Sequence, residues 1–232
     1  MPNQVVQLKQ IGNITFSKNR RSKNIKISVK PDKSVLVSFP FYVSSKEVLA
    51  FVLKNEDWIR SQQQKMELRK AKVAANSELK TKLHTIKFIL GSENRIMKRG
   101  SDVTIIVTDF EEKECLDYIE HYVTEIYRIE AKRLLPVRIS ELAKRNGFDF
   151  NKITIRNNRR NWGSCSSQNN ISLNLQMMKL PVELIDYILL HELVHTEIKN
   201  HGEKFWQRLN QITNNRAREL ATQVKQYSTY TL

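Results

Sequence analysis

Three of the chain's five histidines fall within one short run, His191-Glu192-Leu193-Val194-His195-Thr196-Glu197-Ile198-Lys199-Asn200-His201. His191 and His195 are four residues apart, so on a helix they share one face about a turn from each other. Two imidazoles so placed reach a single ion at roughly 2.0–2.1 Å, the usual Zn–N distance. Glu192 points about 100° away from His191 on the same helix. It therefore does not ligate, but it can reach a water on the ion as general base. The competing explanation is a buried helix whose two histidines are satisfied by hydrogen bonds. Against it stand the third histidine and the apolar run leading in, because buried polar groups need partners.

A third ligand is required. In an unbroken helix His201 would sit about 240° round the axis from His195, nearly opposite. It can ligate only if the helix stops and the chain turns back. Lys199-Asn200 can end the helix, Asn200 tolerates a left-handed conformation and Gly202 adds freedom. The alternative ligand is Glu219, on the helix that follows. Asp186 is the candidate hydrogen-bond acceptor behind the ligands, and a solvent-facing role is open to it as well.

These residues need elements to hold them. Pro181 opens a helix whose approach, Val182 to Leu190, is nearly continuous apolar sequence after Asp186. A second helix is expected from Glu203 to about Gln226, with Phe205, Trp206, Leu209, Ile212 and Leu220 on its apolar side. Upstream, Cys115, Leu116, Ile119, Val123, Ile126, Tyr127 and Ile129 mark a helical stripe running to about Leu135. Pro136 should interrupt it, and a further helical stretch ends at Asn146-Gly147. A strand at Lys152–Arg156, a basic loop at Asn157–Arg160, a turn at Trp162-Gly163-Ser164 and a strand near Ile171–Leu175 follow.

The front of the chain alternates apolar and polar residues at Ile14–Phe16, Ile25–Val29 and Val35–Phe39, which predicts half-buried strands. Pro31-Asp32-Lys33-Ser34 is a turn signal between the last two. Ser44 or Ser45 caps a helix reaching Ile59, and the polar stretch Ser61–Lys80 ends in a linker. Further strands are expected at His84–Leu90 and Val103–Thr108. The fold class is α+β, with residues 1–75 as a small β-rich N-terminal region and 76–232 as the domain bearing the histidine motif.

Composition narrows the function. The chain has 232 residues, 39 Lys+Arg against 24 Asp+Glu, and a net charge of +15. With 40% hydrophobic residues a packed core is expected and wholesale disorder is excluded. Two cysteines cannot build a disulfide framework or a four-thiolate zinc site. Residues 1–13 lack a signal-peptide apolar region, and no stretch approaches the ~18 apolar residues of a membrane span. A cytoplasmic protein without a membrane partner is the expectation. The basic excess raises nucleic acid as a partner. Arg20, Arg21 and Lys23 belong to one cluster, Lys65, Arg69, Lys70 and Lys72 to a second, and Arg156, Arg159 and Arg160 to a third. If they aligned they would form a salt-sensitive anion-binding stripe. With few aromatic residues there, base stacking is weakly supported.

The runs Trp162-Gly163-Ser164-Cys165-Ser166, Asn170-Ile171-Ser172-Leu173-Asn174, Pro181, Ile185-Asp186-Tyr187, His191 to His195 and Asn200-His201-Gly202-Glu203-Lys204-Phe205-Trp206 together resemble the YgjP-like zinc metallopeptidases, zincins related to SprT and WLM domains. The front segments Arg20 to Ile25 and Trp58-Ile59 are similar to that family's strand–strand–helix opening. The resemblance implies a zincin-like catalytic core, one Zn²⁺ per chain held by His191, His195 and His201, Glu192 as catalytic base, and a protein or peptide substrate. The family usually carries Arg before the Trp-Gly-Ser turn; here that position is Asn161, with Arg159 and Arg160 upstream. Tyr227, Tyr230 and His121 are open candidates for stabilising an oxyanion. Ile171–Leu175 is the candidate edge strand for an extended peptide. Trp162 and Trp206 are expected to pack around the site, and Cys115 and Cys165 to be buried thiols. The competing function is a basic nucleic-acid-binding protein whose zinc is structural or whose peptidase activity is vestigial.

Overall fold

The structure, a computed structural model, describes residues 4–30, 33–69 and 73–231. It divides into two compact units, Met1–Ala71 and Lys72–Leu232. Among the described residues no helix is long and apolar enough to cross a membrane.

The first unit is one four-stranded sheet with two helices. Strands β1 (Gln4–Leu8), β2 (Gly12–Lys18), β3 (Lys26–Val29) and β4 (Val35–Phe39) lie in the order β1-β2-β4-β3. β1 was not anticipated; it is an edge strand whose exposed Val5 stands beside half-buried Val6, so its sequence does not alternate apolar with polar. The β3–β4 hairpin closes through Lys33, which has φ of 64° and donates its N–H to the Lys30 carbonyl at 2.9 Å. Pro31 and Asp32 of the expected turn lie outside the described residues. Helix α1 (Ser45–Lys54) starts with a capping box, in which Ser44 Oγ accepts from Glu47 N and Glu47 accepts from Ser44 N. It ends at Asn55, and α2 (Glu56–Arg69) follows, so the expected single helix is two. Ile14, Phe16, Val37, Val48, Val52 and Ile59 make this unit's own core.

The second unit has two small sheets around a long helix. β5 (Glu78–Lys80), β6 (Thr85–Leu90), β7 (Arg95–Arg99) and β8 (Asp102–Val107) form a sheet ordered β5-β6-β8-β7. β7 is exposed at every position, which is why no apolar alternation announced it. Helix α3 (Lys113–Asn146) runs straight through Pro136, contrary to the expected interruption. A proline inside a helix costs about 3 kcal/mol. That cost is outweighed by burial on both sides of it: Ile119, Val123, Tyr127, Leu135, Ile139 and Leu142 all enter one core. The helix does end as read, with Gly147 at φ 74°.

Strands β9 (Lys152–Arg156), β10 (Gly163–Cys165) and β11 (Asn170–Asn174) form the second sheet, ordered β10-β11-β9. A 3₁₀ turn at Leu175–Lys179 leads to α4 (Val182–Glu197), which carries the histidine pair. α5 (Glu203–Ile212) and α6 (Ala217–Val224) complete the unit. The single long C-terminal helix expected from Glu203 is broken by Asn214 and Asn215, both at positive φ. The whole is a mixed α+β fold with the motif helix packed against α3, α5, α6 and β10.

Candidate metal centre

α4 is buried almost all round, from Leu184 to His195, as its apolar sequence requires. It stops two residues sooner than the sequence suggested. Ile198 is extended, with φ −125° and ψ 103°, and Asn200 does not take the left-handed conformation. The turn is held from several sides. Ile198 N donates to the Val194 carbonyl at 2.8 Å, and the Ile198 carbonyl lies 2.9 Å from His195 Nδ1. Lys199 Nζ donates to the Ser166 carbonyl at 2.9 Å and to Asn169 Oδ1, tying the turn to the β10–β11 hairpin. Arg208 reaches back from α5 to the Asn146 carbonyl at 3.0 Å and to Glu197.

This turn brings His201 round to the helical pair. The Nε2 atoms of His191, His195 and His201 lie 3.2, 3.1 and 3.0 Å apart pairwise. Three nitrogens bound to one zinc at 2.0–2.1 Å in tetrahedral directions sit about 3.4 Å apart, so this spacing fits an ion with slight expansion. The chemistry of the donors agrees. His195 Nδ1 donates to a carbonyl, which leaves its Nε2 lone pair aimed at the other two nitrogens. Burial pushes His191 down to about 3, reinforced by the two neighbouring imidazoles, so it is a neutral donor. A cation among the three nitrogens would accept a lone pair from each neutral imidazole. His191, His195 and His201 are the one such group of three among the described residues and can hold a metal ion. Phe205 forms the floor beneath them: its ring is 4.6, 4.8 and 4.9 Å from the rings of His195, His201 and His191. It is fully buried, and the sequence showed it only as an apolar position.

Glu192 faces the same cleft and is 5% exposed. Its Oε2 has no hydrogen-bond partner among the described residues. Burial without compensation pushes its carboxyl up to about 8. The carboxylate fits because position 163 is glycine: a Cβ there would lie 2.6 Å from Glu192 Oε1 and 2.7 Å from Cγ. Of the expected Trp-Gly-Ser turn, Gly163 and Ser164 are the first residues of β10, which packs against the motif helix, and the glycine makes room for the glutamate.

The cleft holds about 510 Å³ and is lined by Asn161, Trp162, Tyr187, Trp206 and Arg218 besides the motif residues. Both tryptophans therefore face the cleft as well as pack against the core. Asn161 donates to the Gly163 carbonyl at 2.9 Å, and buried Asn174 donates to the Asn161 and Asn158 carbonyls, which sets the shape of this loop.

Other expectations are corrected. Asp186 does not back the histidines; both its oxygens accept from Arg138, at 2.7 and 2.6 Å, on another face of α4. Glu219 stays outside the cluster, exposed and held by Arg216 and Gln223. Ile171–Leu175 is not an edge, since β11 lies between β10 and β9; the edge beside the cleft is β10. None of Tyr227, Tyr230 and His121 lines the cleft. Tyr230 lies under the Arg159 guanidinium and His121 against Tyr122. Tyr187 lines it instead, four residues before His191 and so on the same helical face, a spacing that the sequence did contain. Cys115 is buried as expected, whereas Cys165 is only half-buried, 3.8 Å from Lys199 Nζ.

Arg20, Arg21 and Lys23 sit in the β2–β3 connection of the first unit, with Arg20 over the Phe41 ring. Arg159 and Arg160 are exposed in the β9–β10 connection of the second. Lys70 and Lys72 lie outside the described residues.

A search of curated proteins returned no significant match. Two solved structures are similar to part of the chain. The metallopeptidase zymogen jannalysin of Methanocaldococcus jannaschii is 28% identical, with a TM-score of 0.35, covering 39% of this chain and 93% of that one. The zymogen abylysin of Pyrococcus abyssi is 21% identical, with a TM-score of 0.36, covering 39% and 91%. The profile of the YgjP-like metallopeptidase domain matches residues 23–227, spanning both units and every motif around the three histidines, and the chain belongs to that family.

Proposed function

We propose that the protein is a zinc-dependent peptidase that hydrolyses peptide bonds, with His191, His195 and His201 as metal ligands and Glu192 as general base. The observation that carries this reading is three convergent imidazole nitrogens beside a buried carboxylate oxygen with no partner. A Zn²⁺ held there supplies Lewis acidity, polarising the scissile carbonyl and lowering the pKa of water toward ~7. Glu192 takes the proton of the attacking water at its free Oε2 and delivers it to the leaving nitrogen. Positive charge at the histidines favours the ionised carboxylate, opposing the effect of burial. The partly exposed β10 edge supplies backbone groups for an extended peptide. Tyr187, whose phenol burial pushes up to about 12, stays protonated and able to donate to an oxyanion.

Two facts favour this over a structural zinc site. The described residues offer three ligands and no fourth, whereas structural sites are closed by four protein ligands. The histidines also open on a cleft. Proteins and peptides are the substrates the family implies.

Metal analysis and peptide hydrolysis test the proposal together. Zinc should be stoichiometric in the wild type, strongly reduced in His201→Ala and retained in Glu219→Ala. Hydrolysis should fall about 10²–10⁴-fold in Glu192→Gln with zinc retained. Loss of zinc in Glu219→Ala alone, or full activity in Glu192→Gln, would overturn it.

A further inference from the structure

Arg218 lines the cleft, and among the described residues neither the metal site nor an ion pair accounts for its charge. Arg218, on α6, stacks its guanidinium on the Trp206 ring, with Cζ 3.5 Å from the centroid. Among the described residues it forms no ion pair, and its guanidinium donates no hydrogen bond. The contrast with Arg216, two residues earlier, is direct: that guanidinium is held by Glu183 and Glu219. Stacking fixes the plane of Arg218 and leaves its in-plane N–H groups to face whatever enters the cleft. A planar fork of donors held this way matches a carboxylate bidentately.

The remaining groups of the cleft set the sign of the charge they would accept. Arg218 and Lys225 both line it, and Glu192 is its one acid. Trp206, Ile188 and Val224 supply apolar wall to the same cleft. Arg218 also lies close enough to Tyr187 to oppose the effect of burial on that phenol, so its charge is felt at the heart of the site.

We infer that Arg218 is a specificity-determining residue that takes a carboxylate of the substrate near the scissile bond. This rests on the peptidase reading of the cleft. The carboxylate comes either from an Asp or Glu side chain or from the peptide's own C-terminus, and the chemistry of recognition is the same.

The test uses zinc-loaded protein and matched peptides carrying Glu, Gln or Lys beside the cleaved bond, each with a free or an amidated C-terminus. In the wild type the carboxylate form should be favoured by about tenfold or more in kcat/KM, expressed mainly in KM. Arg218→Met keeps the apolar stem and should bring the ratio to near one, Arg218→Lys should retain part of it, and Arg218→Glu should turn the preference toward Lys. Loss of preference on Glu→Gln identifies a side-chain carboxylate; loss on amidation identifies a chain terminus. A second readout is equilibrium binding of the same peptides to the Glu192→Gln protein, followed by intrinsic tryptophan fluorescence, to which Trp162 and Trp206 of the cleft both contribute. A wild type indifferent to the carboxylate in both readouts, or a preference unchanged in Arg218→Met, overturns the inference. Absence of hydrolysis of every peptide with a preserved binding preference would instead overturn the peptidase reading and leave this one standing.

Discussion

The second unit buries two glutamates, and they are treated in opposite ways. Glu130, on α3, is fully buried, and every donor around it is used. Its Oε1 accepts from Thr81 Oγ1, from Leu83 N at 2.9 Å and faces His84 Nδ1 at 2.8 Å, while Oε2 accepts from Lys82 N at 3.1 Å. Glu130 thereby fixes the loop that leads into β6. Glu192 is nearly as deeply buried and has an oxygen with no partner. A buried carboxylate left short of donors costs stability, so its retention calls for another use. Satisfaction marks the structural glutamate, and its absence marks the one facing the histidines.

The largest effects should come from exchanging the two roles. Glu192→Gln should lower hydrolysis about 10²–10⁴-fold with the melting temperature equal to wild type or higher. Glu130→Ala leaves Lys82 N, Leu83 N and His84 Nδ1 without their acceptor, while Thr81 Oγ1 keeps the His84 carbonyl, and should cost about 3–5 kcal/mol in denaturant unfolding. Zinc per folded chain should be unchanged by that substitution. Equal loss of stability in both variants would break the contrast.

A smaller effect sharpens it. Gly163→Ala drives a methyl into the Glu192 carboxylate and should displace it by an ångström or so. Misplacement on that scale costs roughly 10²-fold in rate. Kinetics and a thermal melt on the same sample check this; wild-type rates would mean that the position of Glu192 is not critical.

The smallest effect concerns an ionisable group that is half-buried. Lys179 donates to the Tyr230 carbonyl, and burial pushes its ammonium down to about 8. The unfolded chain holds that proton up to about 10.5. Between these values the unfolded state binds more protons, so stability should rise with pH from about 8 to 10.5, by on the order of 1–3 kcal/mol. Lys179→Met should flatten the rise. An equally steep rise in the variant would assign it elsewhere.

What was legible in the sequence was what short-range periodicity encodes. His191, Glu192 and His195 are placed by one helix, and His201 needs only a break of a few residues, so all four were within reach. Gly147 and Ser44 announced helix ends through local chemistry. Pro136 misled because its local cost is overruled by core contacts far along the chain. The edge strand was misassigned because strand order is a pairing between segments: β11 has the stronger alternation, yet β10, only three residues long, is the edge. Phe205 and Arg218 escaped for the same reason, since their roles come from helices that meet α4 only after folding. Arg20, Arg21, Lys23, Arg156, Arg159 and Arg160 are exposed, but exposure by itself assigns them no partner.

The break at Ile198 has a consequence for how fast a metal ion can come and go. Two of the three histidines ride on a buried helix, and the third sits on an exposed turn outside it. With an ion held as proposed, release would be stepwise, the exposed turn bearing His201 giving up its contact before the His191–His195 pair does. The ion's residence time would then be governed by the tethers of that turn, Lys199 to the hairpin and Arg208 to the end of α3, more than by global unfolding.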